Sequence, residues 1–481
     1  MASHEPKKIH LNLFEMNTVG HISHGLWVHP DNNRHRFNDI EFWTELAQLL
    51  EAGLFDAVFL ADVIGAYDGF RGGPETALRE AVQIPNNDPA MIVPAMAAVT
   101  KHLGFAITFS TTYEPPFAWA RRLSTLDHLT KGRVGWNVVT SYLPNAARNF
   151  GYDEEVPHDY RYEIADEYLD VTYKLWEGSW DDDAVVQDRT NRVYTEPTKV
   201  RYINHVGQHF KVAGPHLPQP SPQRTPVIFQ AGVSEAGRAF AAKHAEAVFI
   251  GGRSVEKVRA NIEDIKARAQ ALGRSPDAIK FFPGAAIIVG RSDDEVARKV
   301  AEFEKLRSVD GYLAHAGAGL DFTSYPPEER IGDIIARKDP GYERLVQRYH
   351  PDQRVGDILA HIGRLSSGGF YVAGTPKEVA DALETWVDEA GVDGFNVRQF
   401  LTPGTAEDII ELVIPELQRR GRFRESYEEG ETLRERLFGK GRSRLPEDHP
   451  GARYRDPEVR AAAGFTTGKP GGSALLAGEV A

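Results

Sequence analysis

The stretch PVIFQAGVSEAGR, residues 226–238, links an apolar strand to an amphipathic helix through a glycine turn and Ser234. Free backbone N–H groups and the positive end of the helix dipole point into such a turn, so it favours an anion such as phosphate. The Ser234 hydroxyl can bind that ligand, or it can simply cap its own helix. The motif alone does not decide between phosphate binding and helix capping, and both interpretations predict a βα unit. Arg238, one turn further on, is a candidate phosphate partner by charge.

Similar βα units precede and follow this stretch. Short apolar runs alternate with longer amphipathic ones, which is typical of a parallel sheet covered by helices. Strands are predicted at residues 9–14, 57–60, 104–109, 134–139, 227–230, 247–250, 279–289 and 394–397. Eight strand–helix units in succession predict an α/β protein with a (β/α)8 TIM barrel. A doubly wound open sheet is the alternative, because the same alternation builds it.

The spacing of the units is uneven, and long insertions are predicted near residues 63–89, 178–225 and 308–370. Loops that follow barrel strands build the active-site face, so such insertions are expected to form lids or dimer contacts. We predict one barrel domain over residues 1–435 and a C-terminal tail over residues 436–481. Residues 466–481 are rich in glycine and small side chains and are expected to lack independent structure.

Composition excludes several functions. The net charge of −13 disfavours a nucleic-acid partner, which needs clustered Lys and Arg. The absence of cysteine excludes disulfides, thiolate catalysis and Cys-ligated metals. No run approaches 18 apolar residues, so no membrane span is expected. The first residues lead into a strand and not into a signal-peptide core, so we expect a cytoplasmic protein.

Polar side chains end several predicted strands. Asp62 follows the second strand, where barrel geometry places a residue on the catalytic face, although a turn or capping aspartate is equally consistent. Thr108 lies near the end of the third strand, followed by Ser110, Thr111 and Thr112. Asn137 lies in the fourth strand, and inside a barrel it must be hydrogen-bonded. It therefore either ties strands together or contacts a ligand.

His158 and Tyr162 lie four residues apart at the start of a helical pattern, so both side chains share one helix face. They can contact one ligand together, or they can pack on a neighbouring element. His21, His24 and His29 cluster after the first strand. A zinc site there is disfavoured, since neither cysteine nor a suitably spaced carboxylate accompanies them, and no metal is predicted. Histidines in this loop are better suited to line a pocket as acid–base or hydrogen-bonding groups.

The sequence carries no motif for a protein nucleophile or for a nucleotide fold. A GxSxG elbow, an HExxH helix and a P-loop are absent. The cluster Gly317-Ala318-Gly319 lacks the spacing of a dinucleotide fingerprint, which disfavours an NAD(P)-dependent dehydrogenase. A phosphate site with aromatic neighbours indicates instead a bound cofactor that supplies the chemistry.

Several longer motifs together resemble one family. They are GLFD (53–56), FLAD (59–62), MAAVTKHLG (96–104), STLDHLTKGR (124–133), WNVVTS (136–141), ARNFG (147–151), SPQ (221–223) and QAGVS (230–234). The chain resembles the flavin-dependent monooxygenases of the bacterial-luciferase-like superfamily, in the branch of the nitrilotriacetate, dibenzothiophene-sulfone and dimethyl-sulfide monooxygenases. Tyr67, Arg71 and GVDGFN (391–396) are most similar to the dimethyl-sulfide enzyme.

The resemblance implies a two-component monooxygenase. Reduced FMN would come from a separate NAD(P)H:flavin reductase, and a flavin peroxide formed with O2 would oxygenate a small organic substrate. Residues that match the family's FMN contacts are Asp62, Thr108, Asn137, His158, Tyr162 and Ser234. His21 resembles a histidine near the flavin and is the catalytic candidate, and further pocket residues are expected around His315. A homodimer or homotetramer is also implied.

The substrate is less constrained than the cofactor, because this fold family varies its loops around a constant flavin site. The resemblance favours an organosulfur compound such as a dialkyl sulfide, with cleavage of a C–S or C–N bond. A flavin-degrading enzyme that acts on riboflavin or another heterocycle is an alternative. A flavin-binding barrel without catalysis is an alternative of another class. A reactive flavin adduct must be shielded from water, and the insertion at 308–370 is the candidate lid.

Overall fold

Eight parallel strands close into a barrel. They are β1 His10–Met16, β2 Ala57–Ala61, β3 Gly104–Ser110, β4 Val134–Val139, β5 Val227–Ala231, β6 Ala247–Ile250, β7 Lys280–Val289 and β8 Gly394–Arg398. Each strand pairs with the next in chain order, and β8 pairs with β1 to close the ring. This computed structural model describes residues 6–316, 320–339, 342–367 and 369–470. The predicted (β/α)8 barrel is confirmed, and the open-sheet alternative is excluded.

One strand of the barrel sheet was not predicted. Phe370–Gly374 pairs in parallel with residues 285–289 of β7 and so adds a ninth strand to the sheet. Its five residues come directly before a helix with a strong amphipathic pattern, and a run that short carries little periodicity of its own. The cluster Gly317-Ala318-Gly319 lies outside the described residues.

Helices cover the outside of the barrel. The longer α-helices are Ile40–Ala52, Pro116–Leu129, His158–Tyr173, Glu235–His244, Val255–Ala271, Asp293–Leu306 and Pro376–Thr385. Shorter α-helices are Glu75–Arg79, Val93–Ala98, Pro144–Asn149, Val309–Ala316, Ile331–Arg337, Tyr342–Arg348, Val355–Gly363, Gly404–Asp408, Ile414–Arg419, Leu433–Phe438 and Pro457–Ala462. Single π-helical turns occur at Lys174–Gly178, Trp386–Ala390 and Ile409–Val413. Short 3-10 turns are Leu26–Val28, Asn33–Arg36, Phe70–Gly72, Pro89–Met91, Pro197–Lys199, Phe322–Ser324, Leu365–Ser367 and Ala452–Arg455.

Alternation along the strands divides the core in two. Outward-facing side chains such as Leu11 and Leu13 pack with the helices in the main apolar cluster. Inward-facing aromatic rings fill the barrel, and Phe14 contacts Phe249 with ring centroids 5.0 Å apart and Phe59 with centroids 5.6 Å apart. The barrel is therefore a packed core and not a pore, so any ligand must bind above it.

Two insertions build a second apolar cluster beside the barrel. The loop after β2 and the insertion at 308–370 pack together through Tyr67, Phe70, Val82, Leu313, Phe322, Ile331, Ile334, Val355, Ile358 and Ile362. We call this group the insertion cluster. The insertion at 178–225 instead forms short strands, Val185–Asp188 with Val193–Thr195 and His205–Val206 with Lys211–Val212.

The C-terminal extension packs under the barrel. Leu433 and Leu437 join the apolar cluster inside the strands, and Arg434 forms a fully buried pair with Glu246, 2.7 Å apart. Thr466–Thr467 pairs antiparallel with Arg201–Tyr202, within a stretch that we expected to lack structure. The domain boundary at residue 435 stays a prediction. None of the described helices is long and apolar enough to cross a membrane.

Candidate functional site

Two adjoining cavities open at the carboxyl ends of β2 to β5. They share three residues that follow β2, namely Asp62, Val63 and Ile64. The first cavity, of about 400 Å³, continues toward residues 83–88 and the end of β3. The second, of about 280 Å³, continues toward the ends of β4 and β5. Both lie on the face where a TIM barrel carries its active site.

The second cavity contains much of the predicted phosphate region. His158 and Tyr162, on the first turns of helix His158–Tyr173, both line it, with ring centroids 5.3 Å apart. Arg161 and Phe240 line it as well. The His158 ring is half exposed and its Nδ1 lies 2.7 Å from Asp159. The spacing of four residues therefore places an imidazole and a phenol at one wall.

Ser234 begins helix Glu235–His244 and caps it, since its Oγ accepts the Gly237 N–H at 3.1 Å. The Tyr162 hydroxyl lies at the same helix start. A Cβ at Gly232 would lie 2.9 Å from that hydroxyl and 2.7 Å from Gln230 Nε2, so any other residue there would have to displace these two side chains. Burial raises the pKa of Tyr162, although hydrogen bonds with Ser234 and Gln230 oppose the shift. The capping interpretation describes this structure, and the hydroxyl hydrogen of Ser234 stays able to donate.

Arg238 points away from this site. It donates to the Val233 carbonyl at 2.9 Å and pairs with Glu235 and Asp264, at 2.8 and 2.7 Å. The candidate role of Arg238 as a phosphate partner is therefore wrong, because its guanidinium is already held by two carboxylates. Arg161 is the cation that lines the second cavity.

Asn137 and Thr108 meet inside the barrel below the cavities. Asn137 Nδ2 donates to Thr108 Oγ1 at 2.9 Å, which ties β4 to β3. Asn137 Oδ1 is buried and has no partner among the described residues, and neither has Gln230 Oε1 or Arg161 Nε. Buried polar atoms are rarely left unpaired, so each of these three atoms can take one further hydrogen-bond partner.

Asp62 is the ionisable group shared by both cavities. Asn86 Nδ2 donates to its Oδ1 at 3.1 Å. Burial raises the pKa of Asp62 to about 7, and the nearby Asp88 charge adds to the rise while the Asn86 hydrogen bond opposes it. The carboxyl can therefore accept or donate a proton near neutral pH.

His21 lies apart from these residues. It lines neither of the two cavities in the described part of the chain. Its ring packs edge-on against Phe14, with centroids 4.6 Å apart, at the top of the aromatic core. Burial, followed by the charges of Arg34 and Arg398, holds the pKa of His21 well below its usual value, so the imidazole is neutral.

The two other histidines of this loop differ from each other. His29 is buried beside Glu302, with 3.2 Å between Nε2 and the carboxylate. Both ring nitrogens of His24 are buried, with no partner in the part of the chain that the structure describes. Among those residues, no group of three or more His, Asp or Glu side chains is arranged to hold a metal ion.

The sequence motifs did not predict a chain of hydrogen bonds that runs from Tyr142 to His315. The Tyr142 and Tyr67 hydroxyls bond to each other, Tyr67 donates to Gln83 Oε1 at 3.1 Å, and Gln83 Nε2 donates to His315 Nε2 at 3.3 Å. Burial and the Arg398 charge lower the pKa of His315 to about 4. The sequence pointed to Tyr67 and to the region of His315 only through resemblance. No local signal marks Gln83, because its role depends on loops that meet only in the folded chain.

A model of the family described as luciferase-like monooxygenase matches residues 18–394, from just after β1 to the first residue of β8.

The chain belongs to the luciferase-like monooxygenase family.

Known members resemble it over nearly its full length. A long-chain alkane monooxygenase of Geobacillus thermodenitrificans (strain NG80-2) is 57% identical over 453 residues, which cover 94% of this chain and 98% of the relative. The dimethyl-sulfide monooxygenase of Hyphomicrobium sulfonivorans is 48% identical over 458 residues, which cover 94% and 95%. Of these two resemblances the one to the alkane enzyme is the stronger, contrary to what the motifs suggested.

Solved structures agree with this. The long-chain alkane monooxygenase superposes with a TM-score of 0.87 over 93% of this chain and 100% of that one. A riboflavin lyase, solved with modified FMN and riboflavin, is 38% identical and has a TM-score of 0.84 over 94% and 100%. The chain is therefore a flavin-dependent monooxygenase, as predicted, and the interpretations as a dehydrogenase or as a flavin-binding barrel without catalysis are wrong.

Proposed function

We propose that this chain is the oxygenase component of a two-component system. It would take reduced FMN from a separate NAD(P)H:flavin reductase and insert one atom of O2 into an uncharged, apolar substrate, with a long-chain alkane as the first candidate. The observation that carries the proposal is the pair of joined cavities. One presents His158, Arg161 and Tyr162, which suit the phosphate of the cofactor, and the other has no basic residue among its described lining, which suits a neutral substrate.

The second cavity fits the phosphate end of FMN. The start of helix Glu235–His244 supplies free N–H groups and the positive end of a dipole, and Ser234, Tyr162 and His158 would hold the phosphate. Asn137 Oδ1, buried without a partner among the described residues, would accept a hydrogen bond from the flavin side, beside Thr108 and Asp62. Reduced FMN bound there supplies the electrons that activate O2.

The chain's own groups would then hold protons and exclude water. His21 and His315 are neutral and poor bases, so they would act as hydrogen-bonding groups, and the chain from Tyr142 through Tyr67 to Gln83 holds His315 Nε2 as an acceptor. Asp62 can exchange a proton near neutral pH. The insertion cluster covers this region with apolar side chains, which keeps competing water away.

The first cavity favours a neutral substrate. The described residues that line it include no lysine, arginine or histidine, and its ionisable carboxyls are Asp62, Asp88 and Glu114. Such walls repel a carboxylate or sulfonate substrate. Val63, Ile64, Ile84 and Phe109 supply apolar surface.

The volume of the first cavity, and not its mostly polar lining, favours a substrate larger than a small sulfide. The volume of about 400 Å³ would stay mostly empty around a molecule as small as dimethyl sulfide. The relative at 57% identity is a long-chain alkane monooxygenase, which supports the same choice. The dialkyl sulfide favoured by the sequence motifs becomes the second candidate, supported by the relative at 48% identity.

Product analysis tests the proposal. The purified chain is incubated with FMN, NADH, a flavin reductase and ¹⁸O2, separately with n-hexadecane, dimethyl sulfide, dibenzothiophene sulfone, riboflavin and nitrilotriacetate. We expect hexadecanol with one ¹⁸O atom and no product from nitrilotriacetate. Photoreduced FMN in place of the reductase and NADH should also support turnover, since the reductase supplies only reduced flavin. No oxygenated product from hexadecane or from the sulfide would overturn the proposal.

The quaternary structure stays a prediction. The resemblance implies a homodimer or homotetramer, and light scattering of the purified chain would distinguish both from a monomer.

A further inference from the structure

Arg71 joins the two insertions that build the insertion cluster. It lies in the loop after β2, and its guanidinium reaches two carboxylates of the insertion at 308–370. Nη1 and Nη2 bond both oxygens of Asp310, at 2.9 and 3.1 Å. Nε donates to Asp321 at 2.7 Å, and Nη2 donates to Thr323 Oγ1 at 2.7 Å. One side chain therefore ties three residues of one insertion to the other.

The backbone of Arg71 is itself unusual. Its φ is 53°, in the left-handed region that a non-glycine residue seldom adopts. Its guanidinium lies 4.7 Å from the centre of the Phe70 ring, and Phe70 is buried in the insertion cluster. The conformation costs free energy in isolation, so the surrounding contacts must hold it in place. The backbone of the loop after β2 thus directs the Arg71 side chain toward the insertion at 308–370.

One helix connects the Arg71 contact with the active site. Helix Val309–Ala316 has Asp310 in its first turn and His315 in its last turn. His315 meets Tyr67 and Gln83, which lie on the same loop as Arg71. We propose that Arg71 is a positioning residue, which closes the insertion at 308–370 over the site and sets His315 against Tyr67 and Gln83. This inference rests on the proposed function.

The contacts between Arg71 and the insertion at 308–370 can open. Arg71 and Asp310 are each 40% exposed, and exposed ion pairs are weak and screened by salt. Opening would admit an apolar substrate to the first cavity, and closing would exclude water during turnover. When closure fails, NADH, O2 and a proton give NAD⁺ and H2O2 instead of oxygenated substrate. The ratio of H2O2 to product therefore measures the loss of the contacts between Arg71 and the insertion at 308–370.

The test compares Arg71→Ala and Arg71→Lys with Arg337→Ala. Arg337 is a matched control because it is exposed and bridges Glu329 and Asp339, at 2.5 and 3.0 Å, within the same insertion. With FMN, a reductase, NADH and hexadecane, we expect Arg71→Ala to raise H2O2 per product about fivefold. Arg71→Lys should recover only part of this loss, since an ammonium cannot bond two carboxylates in a fork. Arg337→Ala should match the wild type.

Salt dependence separates positioning from a general loss of stability. Wild-type H2O2 per product should rise between low and high ionic strength, whereas Arg71→Ala should be high and insensitive to salt. FMN affinity should be the same in all four proteins. Equal salt dependence in the wild type and Arg71→Ala, or equal effects of the Arg71 and Arg337 variants, would overturn the inference. If none of the proteins oxygenates hexadecane or the sulfide, the proposed function fails instead.

Discussion

Asn137 Nδ2 donates a hydrogen bond to Thr108 Oγ1, 2.9 Å away, while Asn137 Oδ1 stays buried with no partner among the described residues. The amide therefore joins β4 to β3 with one atom and leaves the other without a partner in the described structure. The sequence left strand tying and ligand contact as alternatives for Asn137; the structure shows the tie between the strands, and the contact with a ligand stays a prediction.

Replacing Asn137 by alanine should weaken FMN binding about tenfold, which corresponds to the loss of one hydrogen bond of about 1.4 kcal/mol. The matched control is Asn12→Ala, since Asn12 Nδ2 donates in the same way to Asn396 Oδ1 at 3.0 Å inside the barrel. Both variants should lose similar stability in urea, and only Asn137→Ala should lose flavin affinity in a fluorescence titration. Equal affinities in the two variants would contradict the role of Asn137.

Ser234→Ala should reduce both helix capping and flavin affinity. Loss of an N-cap costs about 1 kcal/mol of unfolding free energy. Ser254 caps helix Val255–Ala271 in the same manner, through the Lys257 N–H at 3.3 Å, but it follows β6, whereas Ser234 bonds Tyr162 at the wall of the second cavity. Ser254→Ala should therefore lose the same stability and keep its affinity for FMN.

His21→Ala is expected to lower turnover with little effect on FMN affinity, because His21 lies on the aromatic core and away from the second cavity. Steady-state rates and flavin titrations of His21→Ala and Ser234→Ala measure this division. Similar losses of flavin affinity in both variants would show that it is wrong.

The carboxyl of Asp62 should make the apo-protein less stable as pH rises. Burial raises its pKa to about 7 from an ordinary value near 4. Between these values the folded chain holds a proton that the unfolded chain has released, so the free energy of unfolding falls with increasing pH. The difference in stability between wild type and Asp62→Asn should therefore shift in favour of the variant from pH 4.5 to pH 7.5. Urea denaturation at both pH values measures this difference in unfolding free energy. A difference that is the same at both pH values would contradict the prediction.

His315 should stay neutral through the physiological range. Burial and Arg398 lower its pKa to about 4, whereas the unfolded imidazole titrates near 6.5. The unfolded chain therefore binds the proton first as pH falls, and His315 subtracts stability progressively between about pH 6.5 and 4. In ¹³C-histidine NMR spectra, the signal absent from His315→Gln should not titrate between pH 5.5 and 8. A midpoint near 6.5 would contradict the burial of this ring.

The buried pair under the barrel should be costly to break. Arg434 and Glu246 are each 1% exposed, and Arg434 also donates to the Thr225 and Ser443 carbonyls. Arg434→Ala leaves Glu246 buried without its cation, so we expect a loss of about 3–5 kcal/mol in unfolding free energy. Arg434→Met combined with Glu246→Leu should recover much of that loss in urea denaturation. A double variant as unstable as the single one would argue against the charge as the cause.

Some parts of the site could be predicted because they depend only on residues that are close together in the sequence. Ser234 follows a strand and a glycine turn, and the helix it caps begins where expected. His158 and Tyr162 share a wall because four residues make about one helical turn. Arg238 failed as a candidate because Glu235 and Asp264 compete for it, and Asp264 comes from the next helix.

The sequence by itself determined the barrel, the family and the capped helix start at Ser234 where we propose that phosphate binds, since alternating apolar periods and capped helix starts are properties of neighbouring residues. Only the tertiary structure decided which groups meet above the barrel. Closing β8 against β1 brings loops to one face that lie more than 200 residues apart, as in the contact of Gln83 with His315 and of Arg71 with Asp310. The burial that neutralises His315 arises from this packing, and no local pattern encodes it.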